Sequence, residues 1–340
     1  MANLREAELT AMAPARRTDE GAAAAPRIAV LTPCRNEAAT VAQVVADFAH
    51  ALPGAAIWVF DNSSTDDTTA RALAAGAQVR HAPLKGKGNV VRRMFSDVEA
   101  DVYVLVDGDG TYDAAAAPAM VRRLVDEGLD MICAARVSTA SAAFRAGHRF
   151  GNVALSGMVR MVFGRQFKDM LTGYRVFSRR FVKSFPAHSA GFEIETELTV
   201  HTLQMRLPAA EVEAAYGARP DGSESKLSTF RDGWRILRMI SLMVREERPL
   251  QFFSAVGAVA MLLAALMAAP VLGVYLRTGL VPRLPTLVVA VGVAVIGLLS
   301  FACGLILDAV SRGRLEQRRL AYLALPGPVA GARSPHPPTP

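Results

Sequence analysis

Two long apolar stretches occupy the C-terminal third of this 340-residue chain. Residues 252–276 run for 25 positions without a charge, and residues 284–307 are again uncharged until Asp308. Wound as a helix, 25 residues reach about 37 Å, enough to cross a hydrocarbon core about 30 Å thick. With only 277–283 between them, the pair predicts a transmembrane hairpin; helices buried in a soluble core are rarely so uniformly apolar. Upstream the pattern changes. Short apolar runs at 28–31, 56–60, around Val79, 102–106 and 131–134 alternate with helical patterns. Val41, Val44, Val45 and Phe48 recur at i, i+3, i+4 and i+7, one face of a helix between the first two strands. That rhythm predicts an α/β fold, a mostly parallel sheet flanked by helices.

Five segments follow from these patterns. Residues 1–25, rich in Ala, Arg and Glu and without an apolar run, are expected to be disordered and are unlike a secretory signal. The α/β domain takes 26–227. Across 228–249, Phe230, Trp234, Leu237, Ile240 and Val244 share a helical face among several arginines, which fits an interfacial juxtamembrane helix or an amphipathic helix packed on the domain. The hairpin fills 250–308, and 309–340 is a basic, then Pro-rich tail. Arg245 and Arg248 precede the first span and Arg312, Arg314, Arg318 and Arg319 follow the second, against Arg277 and Arg283 between them. Positive charge concentrates on the cytoplasmic side of membrane proteins, so both termini and the α/β domain are expected in the cytoplasm.

Composition narrows the chemistry. The net charge is +7, but many of the basic residues flank the apolar stretches, which suits anionic lipid and phosphate substrates better than nucleic acid. Cys34, Cys133 and Cys303 form no CxxC pair, and the six histidines are scattered. A disulfide framework or zinc knuckle is therefore not expected, and a metal would need oxygen ligands, as Mg²⁺ or Mn²⁺ do.

In parallel sheets ligands bind at the carboxyl ends of the strands. The loops expected there are TPCRNEA (32–38), DNSSTDDT (61–68), LKGKGNVVRR (84–93) and DGDGTYD (107–113). Asn36, Ser64, Thr65 and Asp66 suit helix capping as well as ligand binding. Asp61 ends an apolar strand with a carboxylate that is costly to bury unless paired or facing a ligand, a fit for a base or ribose donor. In DGDGTYD, two carboxylates alternate with glycines that let backbone approach a ligand. Asp107 and Asp109 are the candidate metal ligands, able to share a divalent cation with the phosphates of a departing nucleoside diphosphate.

TPCRNE, DNSSTDDT and DGDGTYD, in this order and spacing, resemble the family 2 glycosyltransferases of GT-A fold, whose DxD motif binds metal and sugar nucleotide. Further blocks, DMLTGYRVFSR (169–179), GFEIETEL (191–198) and RPDGSESKL (219–227), look like the branch of dolichol-phosphate mannosyltransferases and bacterial polyprenyl-phosphate glycosyltransferases. The resemblance spans about 27–245 and makes 26–227 a GT-A catalytic domain. It implies that Pro33, Arg35, Glu37 and Asp61 line the nucleotide site, that Asp107 contacts the donor and Asp109 the metal, and that Arg219 and Lys226 clamp the donor diphosphate. Lys87 joins the donor-binding set. Arg136 and Arg149 match positions that contact an acceptor phosphate, although Arg149 also suits a solvated helix face. Arg35 stands where a tyrosine is common and Thr111 where mannosyltransferases often carry a metal-contacting glutamine, so the base and the metal shell stay open. Asp169 is a second candidate catalytic residue beside Asp109; it would position acceptor or sugar, or pair structurally with Arg175 or Arg179. Glu193, Glu195 and Glu197 suit a helix N-terminus through its dipole.

The function implied is inverting transfer of a sugar, with UDP-hexose slightly preferred, from a nucleotide diphosphate to a polyprenyl phosphate at the cytoplasmic membrane face, supplying a lipid-linked sugar for envelope glycans. A phosphate monoester has a second pKa near 6, so its oxygen is already a nucleophile at neutral pH. A polysaccharide synthase with a saccharide acceptor is the alternative, but the chain has no QxxRW, and its only tryptophans are Trp58 and Trp234. A non-catalytic membrane scaffold is a third reading, opposed by the intact DGDG. The sequence leaves homo-oligomerisation open.

Overall fold

The computed structural model describes residues 25–138, 167–191, 193–217 and 248–328. Seven strands form one sheet: β1 (Ile28–Cys34), β2 (Ala56–Asp61), β3 (Gln78–His81), β4 (Val102–Leu105), β5 (Met131–Ser138), β6 (Arg175–Ser178) and β7 (Ala209–Tyr216), in the order β3-β2-β1-β4-β6-β5-β7. All neighbours are parallel except β6, which runs antiparallel to both β4 and β5. The expected mostly parallel α/β sheet is present.

Period-2 alternation builds a core on each face. Leu31, Tyr103, Leu105, Met131 and Phe177 point to one side, where α3 (Lys87–Asp97), α5 (Arg179–Ser184) and α6 (Ile194–Met205) cover them. Val30, Val104, Ile132 and Val176 point to the other, beneath α1 (Val41–Ala51) and α4 (Ala117–Asp126), while α2 (Thr68–Ala74) packs against α1. The four apolar residues that predicted α1 are its buried residues. Burial on both faces is why β1 and β4 read as continuous apolar runs rather than alternating ones.

Helices α7 (Pro249–Thr278) and α8 (Leu284–Leu323) form the C-terminal pair, with mean hydropathies of 2.3 and 2.5 in their most apolar windows. They pack antiparallel over small residues: a Cβ on Gly257 would lie 2.8 Å from the Gly297 carbonyl oxygen. Most other apolar side chains, including Leu262, Leu266, Leu298 and Ile306, point outward. An apolar surface of this extent suits lipid contact.

Beyond the apolar stretch α8 does not stop. It continues through the basic segment and docks on the α/β domain against α5 and α6. Leu315 and Tyr322 pack on the core, and Arg318 donates to Gln204 at 3.3 Å. The Tyr322 hydroxyl donates to Asp130 Oδ2 at 2.7 Å. Asp130 is fully buried and also accepts from Ser178 and from both Nε and Nη2 of Arg180, whose guanidinium lies over the Tyr322 ring. The proposed juxtamembrane helix at 228–249 lies almost wholly outside the described residues.

Candidate active site

Because β1, β2 and β4 are parallel, the loops at 32–38, 61–68 and 107–113 emerge at one edge of the sheet. The first two are knitted together. Asn36, in the left-handed backbone region, donates its N–H to Ser64 and accepts from the Thr65 N–H; the Glu37 N–H reaches Thr68 and the Ala38 N–H reaches Asp66. Asn36, Ser64, Thr65 and Asp66 thus hold loop to loop. Asp61 is buried at the end of β2, accepting from the Ser64 N–H, with His81 Nδ1 3.3 Å from it. Pro33 is half-buried in β1 opposite Phe60, Glu37 is half-buried and Arg35 is exposed at the same edge.

The GKG loop is drawn inward. Asn62 holds it through the Gly86 N–H and the Ala82 and Leu84 carbonyls. Gly88 meets the 189–191 backbone so closely that a Cβ there would sit 2.0 Å from the Ser189 carbonyl oxygen, so any side chain would push the loop out. This close approach buries Lys87, only 7% of whose side chain is exposed, between Asp107 Oδ1 and Glu195 Oε1. Burial opposes the ammonium charge, but the two carboxylates outweigh it and hold the Lys87 pKa above the usual lysine range. Glu195 is pushed up by its burial, against the pull of Lys87.

In DGDGTYD, Asp109 is buried and accepts from the Thr111 N–H at 3.2 Å and its hydroxyl at 2.6 Å. Thr40 secures the Gly108 carbonyl at 2.6 Å. Gly173 backs the Asp107 carboxylate, where a Cβ would come 2.2 Å from Oδ2. Tyr112 accepts from the Gly173 N–H and bridges to Tyr216; burial, reinforced by Asp107, raises its pKa. Hard oxygen donors in a turn this short fit Mg²⁺ or Mn²⁺, which keep positions for phosphate oxygens and water. Among the described residues no three His, Cys, Asp or Glu side chains gather at one point. A cavity of about 230 Å³ opens between Thr40, Gln43 and Asp47 near the start of α1 and Asp107, Gly110 and Tyr112. It is smaller than ligand pockets commonly are, roughly 300–1,000 Å³.

Arg136, at the end of β5, forks onto Asp169: Nε to Oδ2 at 2.7 Å and Nη2 to Oδ1 at 3.0 Å, with the guanidinium 5.5 Å from the centre of the Tyr216 ring. Burial works against the Asp169 charge, but the fork overrides it and holds its pKa below the usual carboxylate range. The partner differs from the two anticipated. Arg175 is buried and spends its guanidinium on the Thr172, Met170 and Glu195 carbonyls and the Thr199 hydroxyl, while Arg179 reaches Glu99. Glu195 likewise departs from a simple helix-dipole role, since it faces Lys87. Arg149, Arg219 and Lys226 lie outside the described residues. Sequence reasoning passed over Tyr112, Tyr216 and Gly173 as site residues; Tyr112 and Gly173 sit in blocks it quoted, DGDGTYD and DMLTGYR.

Residues 29–185 match the family described as glycosyl transferase family 2. Glycosyltransferase AglJ of Haloferax volcanii is 35% identical over 232 residues, 68% of this chain and 76% of that protein. Protein RfbJ of Shigella flexneri is 54% identical over 123 residues, 36% of this chain and 95% of that protein. Among solved structures, the glucosyl-3-phosphoglycerate synthase of Mycobacterium tuberculosis in complex with Mn²⁺, uridine diphosphate and glucosyl-3-phosphoglycerate is 25% identical, with a TM-score of 0.51 over 64% of this chain and 79% of that one. The DGDG loop, the buried lysine and the Arg136–Asp169 fork all fall within the matched residues, and the chain belongs to glycosyl transferase family 2.

Proposed function

We propose that this glycosyltransferase moves a sugar from a nucleotide diphosphate, with UDP-hexose preferred, to a polyprenyl phosphate at the cytoplasmic face of the membrane. This assigns it to the polyprenyl-phosphate branch of its family. The observation that carries the reading is the continuity of α8, which leaves the apolar hairpin and docks on the domain that bears the donor loops. The helix grips the domain at the sheet edge opposite the donor loops, where Asp130 and Ser178 lie, and so ties the whole domain to an apolar hairpin, which favours an acceptor dissolved in the bilayer. The proposed organisation is a catalytic domain at 26–227, a juxtamembrane helix at 228–249, two spans within 250–308 and a cytoplasmic remainder, with both termini cytoplasmic.

In this reading Pro33, Arg35, Glu37 and Asp61 line the nucleotide pocket, Lys87 neutralises Asp107 beside the donor, and Arg219 and Lys226 close on the diphosphate. Asp107 and Asp109 hold the divalent cation, which when bound supplies charge stabilisation for the leaving nucleoside diphosphate. The Mn²⁺ and uridine diphosphate of the mycobacterial synthase complex support both a divalent requirement and the UDP preference. Arg136 and Arg149 receive the acceptor phosphate, and Asp169 aims the Arg136 fork. With its pKa held down, Asp169 is a poor general base, and a dianionic phosphate needs none. The remaining task is alignment for in-line attack at the anomeric carbon, with inversion.

The test is to give the purified protein polyprenyl phosphate, Mg²⁺ or Mn²⁺, and a panel of sugar nucleotides. A glycolipid that forms with one donor supports the reading. Elongation of a saccharide acceptor with no lipid-linked product would replace it with the polysaccharide synthase.

A further inference from the structure

The buried lysine and its two carboxylates have a consequence for metal binding. The Lys87 ammonium sits between Asp107 and Glu195, which lie on different elements. Asp107 follows β4, and Glu195 opens the first turn of α6. Only 10% of the Glu195 side chain is exposed, so it is not a solvated helix-end acid. Its backbone is tied into the site as well, since the Glu195 carbonyl accepts from Arg175 Nη2 at 3.0 Å. The GKG loop cannot retreat from α6, because the Gly88 N–H donates to the Gly191 carbonyl and the Asn89 N–H to that of Ala190.

The charges decide what Glu195 does. Asp107 and Lys87 alone sum to zero and, with Asp109, leave one negative charge for a divalent cation. Glu195 adds a second, partly offset by the buried Arg175 guanidinium beside it. A lysine shared by two carboxylates also binds Asp107 less exclusively than an isolated ion pair would. We infer that Glu195 is a positioning residue that acts through Lys87 to keep the DGDG loop negative enough to take a divalent cation. This rests on the donor-site reading above, in which Asp107 and Asp109 are the metal ligands.

The experiment uses the full-length protein in detergent. Mn²⁺ binding is followed by the loss of free-ion electron paramagnetic resonance signal, with UDP or GDP as the diphosphate probe, and thermal unfolding is measured alongside. Glu195→Gln keeps the shape and removes the charge. It should weaken Mn²⁺ binding about tenfold, as expected for losing one unit charge across a partly screened site, while Glu195→Asp, which keeps the charge, stays within about threefold of wild type. Lys87 keeps Asp107 in either variant, so each should lose only a few degrees of melting temperature and the two should fall alike. Unchanged Mn²⁺ affinity in Glu195→Gln, or a loss matched in Glu195→Asp and tracking a fall in melting temperature, would overturn the inference and leave Glu195 a structural counter-ion. Because metal binding is read rather than transfer, a mistaken acceptor lipid would alter neither result.

Discussion

Removing Arg136 should injure the protein in two separable ways. The side chain forks onto Asp169 with 18% and 12% of the two side chains exposed, so Arg136→Ala strands a mostly buried carboxylate. Breaking a buried pair from one side costs about 3–5 kcal/mol, and residual solvent contact here brings the figure below that range, to about 2–3 kcal/mol. If Arg136 also receives the lipid phosphate, the same change deletes a charge-assisted contact worth roughly 1.5–3 kcal/mol, a fall in kcat/KM for polyprenyl phosphate of about 10- to 150-fold. Asp169→Asn separates the effects. In the Arg136→Ala/Asp169→Asn double variant no carboxylate is stranded, so melting temperature should recover most of its loss while the acceptor defect persists. Thermal unfolding in detergent, with KM measured for donor and acceptor separately, supplies the four corners of the cycle. The reasoning fails if the double variant regains normal acceptor use, or if Arg136→Ala raises the donor KM instead.

Asp109→Ala should abolish divalent-dependent transfer and leave a folded, membrane-inserted protein; near-normal turnover with unchanged metal dependence would remove Asp109 from the metal site. His201 is buried between the Phe181 and Phe185 rings with both ring nitrogens unpartnered, and burial, helped by Arg318, lowers its pKa from 6.5 to about 3. The folded protein therefore refuses a proton that the unfolded chain accepts, so its contribution is intact above about pH 6.5 and falls as pH drops toward 3. By linkage the loss between pH 7 and 5 is about 2 kcal/mol, and His201→Leu should flatten the melting profile over that range; parallel profiles would show that His201 does not set it. Labels at either terminus should be cytoplasmic and a label between Thr278 and Pro282 should lie across the membrane; a loop label reached only from the cytoplasm would make the hairpin re-entrant.

What could be read in advance follows from how local each signal is. Strands β1, β2, β4 and β5 were legible because burial on both faces writes an uninterrupted apolar run, and α1 because one face carries four apolar residues at helical spacing. β6 was not: it has four residues and begins with Arg175, whose buried guanidinium is satisfied by carbonyls that no local pattern reveals. β7, AAEVEAAY, carries too few large apolar residues to stand out. At the site, Asp107 and Asp109 declared themselves through their spacing with glycine, whereas Arg136 and Asp169 are 33 positions apart and Lys87 and Glu195 are 108 apart. Pairings over such distances are set by the sheet order, and here by the insertion of β6 between β4 and β5.

The docked end of α8 joins the membrane reading to the catalytic one. Its charges made 309–340 look like a tail, yet Leu315, Arg318 and Tyr322 are spaced i, i+3 and i+7, the face that meets the domain. The signal was present but masked by the exposed Arg312, Arg314 and Arg319 on the other faces. A helix that keeps its phase beyond its apolar stretch transmits position, because its hydrogen-bonded backbone resists bending over a few turns. Its Tyr322 reaches Asp130, which also accepts from Ser178, and Ser178 closes the same strand that Arg175 opens. Arg175 in turn holds the Glu195 carbonyl, two side chains, Glu195 and Lys87, from Asp107 of the DGDG loop. The hairpin is thus fastened to the domain through β6, the strand whose other end organises the catalytic edge, which supports the proposed acceptor in the bilayer.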